Sequence, residues 1–84
     1  MNTTTNLMNF DCIYRVECSG ETRYISELRR IAESCGAKFV GGESGQFAHQ
    51  ANPSYRIHAS ASAAFVSALK SAGYHFGLKT ADAA

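Results

Sequence analysis

The chain has 84 residues, a formal net charge of +1 and an apolar share of 45%. This length favours one small domain, and this apolar share excludes an intrinsically disordered chain. The near-neutral charge excludes strong overall attraction to nucleic acids or membranes, so that any such binding requires charge gathered on one face.

The first predicted strand follows a polar tract. Residues 1–9 are rich in Asn and Thr, which predicts a disordered tail. These residues do not have the pattern of a signal peptide, so a cytoplasmic protein is expected. From Phe10 to Cys18 apolar side chains alternate with polar ones. This period of two predicts a strand of an antiparallel sheet, with one face buried and the other in water.

A helix is predicted next, with Ser19 as a candidate N-cap and Gly36 as the C′ residue. Its apolar residues recur at helical spacing along one face: Tyr24, Ile25, Leu28, Ile31, Ala32 and Cys35. Two arginine–glutamate pairs with i,i+4 spacing lie on the opposite side: Arg23 with Glu27, and Arg29 with Glu33.

The remaining elements are predicted as a strand (residues 38–40), a loop (40–55), a strand (55–60), a helix (60–73) and a last strand (74–79). Ser60 or Ser62 is the expected N-cap of the second helix, which ends at Gly73. The order βαββαβ predicts a ferredoxin-like α+β sandwich over residues 10–79, in which two helices cover one face of a sheet with strand order 4-1-3-2. Residues 80–84 are expected to form a loose tail, and the second choice is a βαββα domain whose residues 74–79 are irregular.

The loop from Val40 to Tyr55 contains three glycines within five positions. A phosphate-binding loop aims backbone N–H groups from a helix N-terminus, whereas here neither a helix nor a GK[ST] motif follows. A hairpin turn is therefore predicted. Because the loop is long for a hairpin, Glu43 and His49 are kept as candidates for contact with a partner.

The open face of the predicted sheet is expected to be basic. It would carry ten residues: Asp11, Ile13, Arg15, Glu17, Lys38, Val40, Arg56, His58, His75 and Lys79. We take Arg15, Arg56, Lys38 and His58 as the candidate partner-binding residues, against the alternative of a solvated mixed-charge surface. RNA-recognition modules share this topology but place aromatic rings on the open face, whereas the rings here are expected to face the helices.

The outer side of the second helix is a second candidate contact. Small residues follow one another there at helical spacing, namely Ala64, Ser67, Ala68 and Ser71. A flat face of this kind lets another backbone approach closely, so that a homodimer or partner contact is kept as a candidate beside the alternative of an ordinary surface helix.

Motifs for chemistry are sparse. The stretch ECSGETRY, residues 17–24, resembles the phosphate-binding loop of acylphosphatases through Gly20 and Arg23, although the glycine-rich pattern is incomplete and Asn52 lies in a loop. That resemblance implies a small phosphate-binding enzyme. The three cysteines lack CxxC spacing and the three histidines are far apart, so that no metal, no cofactor and no catalytic residue is predicted. The cysteines are expected to be buried structural thiols.

In its brevity, single compact domain, polar ends and lack of catalytic motifs, the chain resembles small accessory proteins of phages and mobile elements, anti-CRISPR proteins among them. The resemblance implies a non-enzymatic inhibitor that binds a bacterial defence complex such as CRISPR–Cas stoichiometrically in the host cytoplasm. A nucleic-acid-binding domain that uses the basic sheet face is the first alternative. The acylphosphatase-like enzyme is the second.

Overall fold

The computed structural model describes residues 10–42 and 51–83. The elements follow in the order β1 (Phe10–Glu17), α1 (Thr22–Cys35), β2 (Lys38–Gly42), β3 (Pro53–His58), α2 (Ala59–Ala72) and β4 (His75–Ala83). This is the predicted βαββαβ order. The predicted disordered tail, residues 1–9, and the candidate loop residues Glu43 and His49 lie outside the described part of the chain.

The sheet has four strands in the order β2-β3-β1-β4, and every neighbouring pair is antiparallel. The predicted strand order 4-1-3-2 is thereby confirmed, and the molecule is a small α+β sandwich of the ferredoxin-like kind. Because residues 75–83 form a strand, the alternative with an irregular C-terminal segment is wrong.

The core lies between the helices and one face of the sheet. Its fully buried side chains include Val16 from β1, Leu28 from α1, and Phe65 and Leu69 from α2. The Phe65 ring packs edge-on against the Tyr14 and Tyr55 rings, with centroid separations of 6.0 and 6.1 Å. These residues belong to the predicted apolar faces, which confirms the strand and helix periodicities.

The thiols are placed largely as predicted. Cys12 and Cys18 are buried, with exposed fractions of 6% and 2%, and Cys35 is half-buried beside the core. Burial, and then the nearby Glu27 carboxylate, raise the pKa of the Cys18 thiol.

The N-caps differ from the prediction. The N-cap of α1 is Glu21, because the backbone C=O of Cys18 still accepts a hydrogen bond from Ala51 N–H at 3.0 Å, so that the chain enters the helix only after a further turn. The N-cap of α2 is His58, whose Nδ1 accepts from the backbone N–H of Ser60 at 3.2 Å. The predicted caps, Ser19, Ser60 and Ser62, are wrong. Both helices do end at the predicted glycines, Gly36 and Gly73, whose φ angles are 80° and 86°.

The strand bounds differ from the prediction. β2 continues to Gly42, and β3 keeps its predicted length but lies at Pro53–His58. β4 continues to Ala83, so residues 80–83 are not a loose tail. Pairing explains the difference: β1 starts at Phe10, and its first residues require partners on β4, with Phe10 opposite Ala83 and Ile13 opposite Thr80. The short segment TADA, residues 80–83, has no large apolar side chain and so gives no sign of this pairing.

The outer part of α1 also departs from expectation. Tyr24 was predicted on the buried stripe, yet it is 37% exposed. The Arg23 guanidinium lies over the Tyr24 ring, with its Cζ 4.6 Å from the centroid of the ring. Arg23 forms its ion pair with Glu21, at 3.1 Å, instead of the expected Glu27. The Glu27 carboxylate accepts a hydrogen bond from the Tyr74 hydroxyl at 2.7 Å, which ties α1 to the start of β4.

Candidate functional site

The open face is the side of the sheet that the helices leave uncovered. On β1, Cys12 and Val16 are buried against the helices, so the alternate residues Asp11, Arg15 and Glu17 belong to the open face. The predicted division of β1 into an apolar and a polar face is therefore correct.

Strand register brings three predicted contact residues to neighbouring positions. Lys38 pairs with Arg56, and Arg56 pairs with Ile13 on the next strand. Arg15, two residues beyond Ile13, is the diagonal neighbour of Arg56, and side chains at such positions lie within reach of one another. The structure thus places Lys38, Arg56 and Arg15 in one continuous patch.

An ion pair reduces the positive charge of this patch. The Arg56 Nε donates to Asp11 Oδ2 at 2.8 Å, and the two side chains are 37% and 23% exposed. Arg15 and Arg56 are both half-buried, not fully in water as the sequence suggested. The pair neutralises one guanidinium but also fixes its direction.

His58 has a structural task in addition to its place at the end of β3. Its ring Nδ1 lies 2.8 Å from Ser60 Oγ and accepts from the Ser60 backbone, so the imidazole caps α2. The structure therefore explains His58 without a partner, and its role as a contact residue stays a prediction.

A surface cleft of about 340 Å³ lies over the paired strands β1 and β4, and it was not predicted from the sequence. We call it the β1–β4 cleft, and it is lined by Arg15, Glu17, His75, Phe76, Gly77, Leu78 and Lys79. The sequence feature that could have indicated this cleft is Gly77, an isolated glycine in the predicted last strand. Such a glycine often marks a bulge or room for a close approach.

A second cavity, of about 350 Å³, lies between α1 and the β2–β3 side of the sheet. Its lining is mostly apolar, and one wall is the Phe39 ring, which is 63% exposed and packs edge-on against Tyr55 with a centroid separation of 5.9 Å. Burial is the largest cause that raises the pKa of the Tyr55 hydroxyl. This groove was not predicted, because Phe39 fitted an ordinary short strand.

The small residues of α2 lie where they were predicted. Ala64, Ser67 and Ser71 are exposed and Ala68 is half-buried, on the side of the helix away from Phe65 and Leu69. They form an outer surface of small side chains. Contact with a second copy or a partner through this surface stays a prediction.

The residues that resembled an acylphosphatase loop are engaged within the protein. Arg23 is paired with Glu21. Asn52 is 2% exposed, has a φ angle of 36° and accepts the Cys18 backbone N–H at 3.3 Å through its Oδ1. Asn52 thus holds the end of β1 and Arg23 is engaged with Glu21, so that the geometry of these residues gives the enzyme alternative no support.

Comparison with known proteins gives no relative: no protein-family model, curated protein sequence or solved structure matches this chain. Within residues 10–42 and 51–83, no group of histidine, cysteine, aspartate and glutamate side chains is arranged to hold a metal ion. No helix in the described part of the chain has the length and apolar character needed to cross a membrane.

Proposed function

We propose that this chain is a non-enzymatic protein-binding module whose open sheet face binds an acidic surface of a partner protein. The observation that carries the proposal is the strand register that places Lys38, Arg56 and Arg15 in one patch. Charged groups held on a rigid sheet can match the charges of a partner, which increases the association rate and selects against wrong partners.

Two features favour a protein partner over a nucleic acid. The rings of Tyr14, Tyr55 and Phe76 pack among themselves and with Phe65 on the helix side, so they are not presented to bases on the open face. Acidic groups also share the open face, where Asp11 is bound to Arg56. A mixed-charge face suits a protein surface better than a row of phosphates, whose binding gains from every uncompensated cation.

The resemblance to phage accessory proteins suggests the class of partner, a bacterial defence complex such as CRISPR–Cas. The nucleic-acid channel of such a complex is positively charged, so a basic face would be repelled from it. The charge therefore favours binding to an acidic surface elsewhere on the complex, where one bound copy blocks assembly or a conformational step.

The test is a binding and interference assay with purified defence complexes and a charge variant, Lys38→Glu with Arg56→Gln. Glutamine at position 56 avoids placing a second carboxylate beside Asp11. The matched control is Arg29→Glu with Arg30→Gln, which makes the same charge change at exposed positions of α1. We expect the open-face variant to weaken binding by roughly tenfold or more and the control to change it less than about twofold. Equal effects would contradict the open-face site.

A titration with mixed-sequence oligonucleotides tests the nucleic-acid alternative. A domain that binds phosphates loses affinity steeply as salt rises, because each neutralised phosphate releases counterions. Under the present proposal, binding to oligonucleotides stays weak at both low and moderate salt. Tight binding that falls with salt, and that the open-face variant abolishes, would replace the protein partner by a nucleic acid.

A further inference from the structure

The β1–β4 cleft results from the way in which the residues of β1 and β4 are paired. Gly77 lies directly opposite Arg15, and His75 lies opposite Glu17. The register between the two strands shifts after Ile13, since Ile13 pairs with Thr80 whereas Tyr14 pairs with Leu78, and the extra residue at this bulge is Lys79. Three basic side chains and one acidic side chain therefore border the same cleft.

The floor of the cleft is open because residue 77 has no side chain. A Cβ built at Gly77 would meet no atom within 4 Å. Gly77 is not among the described glycines with positive φ, so the backbone conformation does not require glycine there. Any larger residue would project into the space beside Arg15, since opposite residues of antiparallel strands have Cβ atoms roughly 4.5–5.5 Å apart.

The chemistry of the lining suits a carboxylate. The planar guanidinium of Arg15 can donate two parallel hydrogen bonds to a carboxylate, and Lys79 adds a second positive charge at the rim. Glu17 offsets part of this charge. Arg15 and Lys79 each also interact with another group of the protein.

We propose that the β1–β4 cleft binds the carboxylate of an aspartate or glutamate side chain on the partner protein. This proposal rests on the function proposed above and names the point where the acidic partner is anchored. A cleft of about 340 Å³ is large enough to receive such a side chain on the surface over the two paired strands. The remaining cations of the open face, at Lys38 and Arg56, then contact the surrounding acidic surface.

The direct test is a titration of the isotopically labelled chain, followed by backbone amide shifts in NMR. The probe is a blocked tetraglutamate peptide, and the matched control is the corresponding tetraglutamine peptide. We expect saturable shifts at residues 75–79 and at Arg15 with tetraglutamate, and shifts at least tenfold smaller with tetraglutamine. Similar shifts with both peptides, or shifts confined to residues away from the cleft, would overturn the proposal. Tighter binding of inorganic phosphate than of tetraglutamate would overturn it in favour of a phosphate ligand.

A second test fills the cleft without changing any charge. Gly77→Ala and Gly77→Val place one and three carbon atoms above the floor. Tetraglutamate binding is expected to weaken in that order, by tenfold or more for valine. Valine has a higher strand propensity than glycine, so the melting temperature should stay the same or rise, and loss of binding cannot come from unfolding. Ser34→Val, at an exposed position of α1, is the control for added apolar surface and is expected to bind like the parent chain.

The two proposals fail in different ways. If Gly77→Val binds the tetraglutamate peptide and the partner protein like the parent, the cleft is not the anchor, and the open-face function still stands. If the variant with Lys38→Glu and Arg56→Gln binds the partner like the parent, the open-face function itself is wrong.

Discussion

Replacing Phe65 with alanine is expected to remove a large part of the stability of this domain. Phe65 is fully buried, and its ring packs against those of Tyr14 and Tyr55 from two different strands. A buried Phe→Ala change costs about 3–5 kcal/mol, and the loss of two edge-on ring contacts places the expected cost in the upper half of that range. A chain of 84 residues has a total free energy of unfolding of roughly 4–13 kcal/mol.

The measurement is urea unfolding followed by circular dichroism and tyrosine fluorescence, which is usable because the chain has four tyrosines and no tryptophan. Phe65→Leu separates ring contacts from volume, because leucine keeps much of the buried apolar surface and is expected to cost less than alanine. Ser67→Ala, at an exposed position of the same helix, should change the free energy of unfolding by less than about 0.5 kcal/mol. A loss below about 1 kcal/mol for Phe65→Ala would refute the register of α2 on the sheet.

Two further predictions concern titratable side chains. A thiol reagent should label Cys35 faster than Cys12 and Cys18 in the folded protein, and all three should react rapidly in urea; rapid native labelling of Cys12 would contradict the β1 register. The pKa of the Tyr74 hydroxyl is raised by burial and then by its hydrogen bond to the Glu27 carboxylate. The folded state therefore holds this proton more tightly than the unfolded state, so its contribution to stability is complete below pH 10 and is lost as the pH rises further. Tyr74→Phe should reduce this loss of stability at alkaline pH, as measured by the urea midpoints of unfolding between about pH 8 and 11. An identical loss in parent and variant would contradict the Tyr74–Glu27 contact.

Most of the fold could be predicted because it rests on local periodicity. The alternation from Phe10 onward and the helical recurrence of Leu28, Ala32, Phe65 and Leu69 each report which side of an element is buried. These signals require no knowledge of neighbours. Four strands and two helices with short connections between most of them leave few topologies, and the ferredoxin-like order was among them.

The features that were not predicted depend on the register between strands, which the local periodicity of one sequence does not specify. β4 reaches Ala83 only because β1 begins at Phe10 and runs beside it. Helix α1 starts late because Cys18 is held by Ala51 and Asn52, from a segment 33 and 34 residues further along the chain. The β1–β4 cleft likewise exists only because Gly77 falls opposite Arg15.

The ion pair on the open face changes what kind of partner that face can select. Asp11 lowers the net charge of the patch, so attraction over long distances is weaker than the count of cations suggested. The same contact, at 2.8 Å, orients the Arg56 guanidinium and reduces the side-chain entropy that binding would otherwise cost. A partner with acidic groups at matching positions gains from this order, whereas a flexible polyanion gains little from it and loses the attraction of an uncompensated charge. Short-range matching of this kind depends less on ionic strength than counterion release does. The balance of charge on the sheet therefore favours the proposed partner, a protein with a structured acidic surface, over a flexible polyanion.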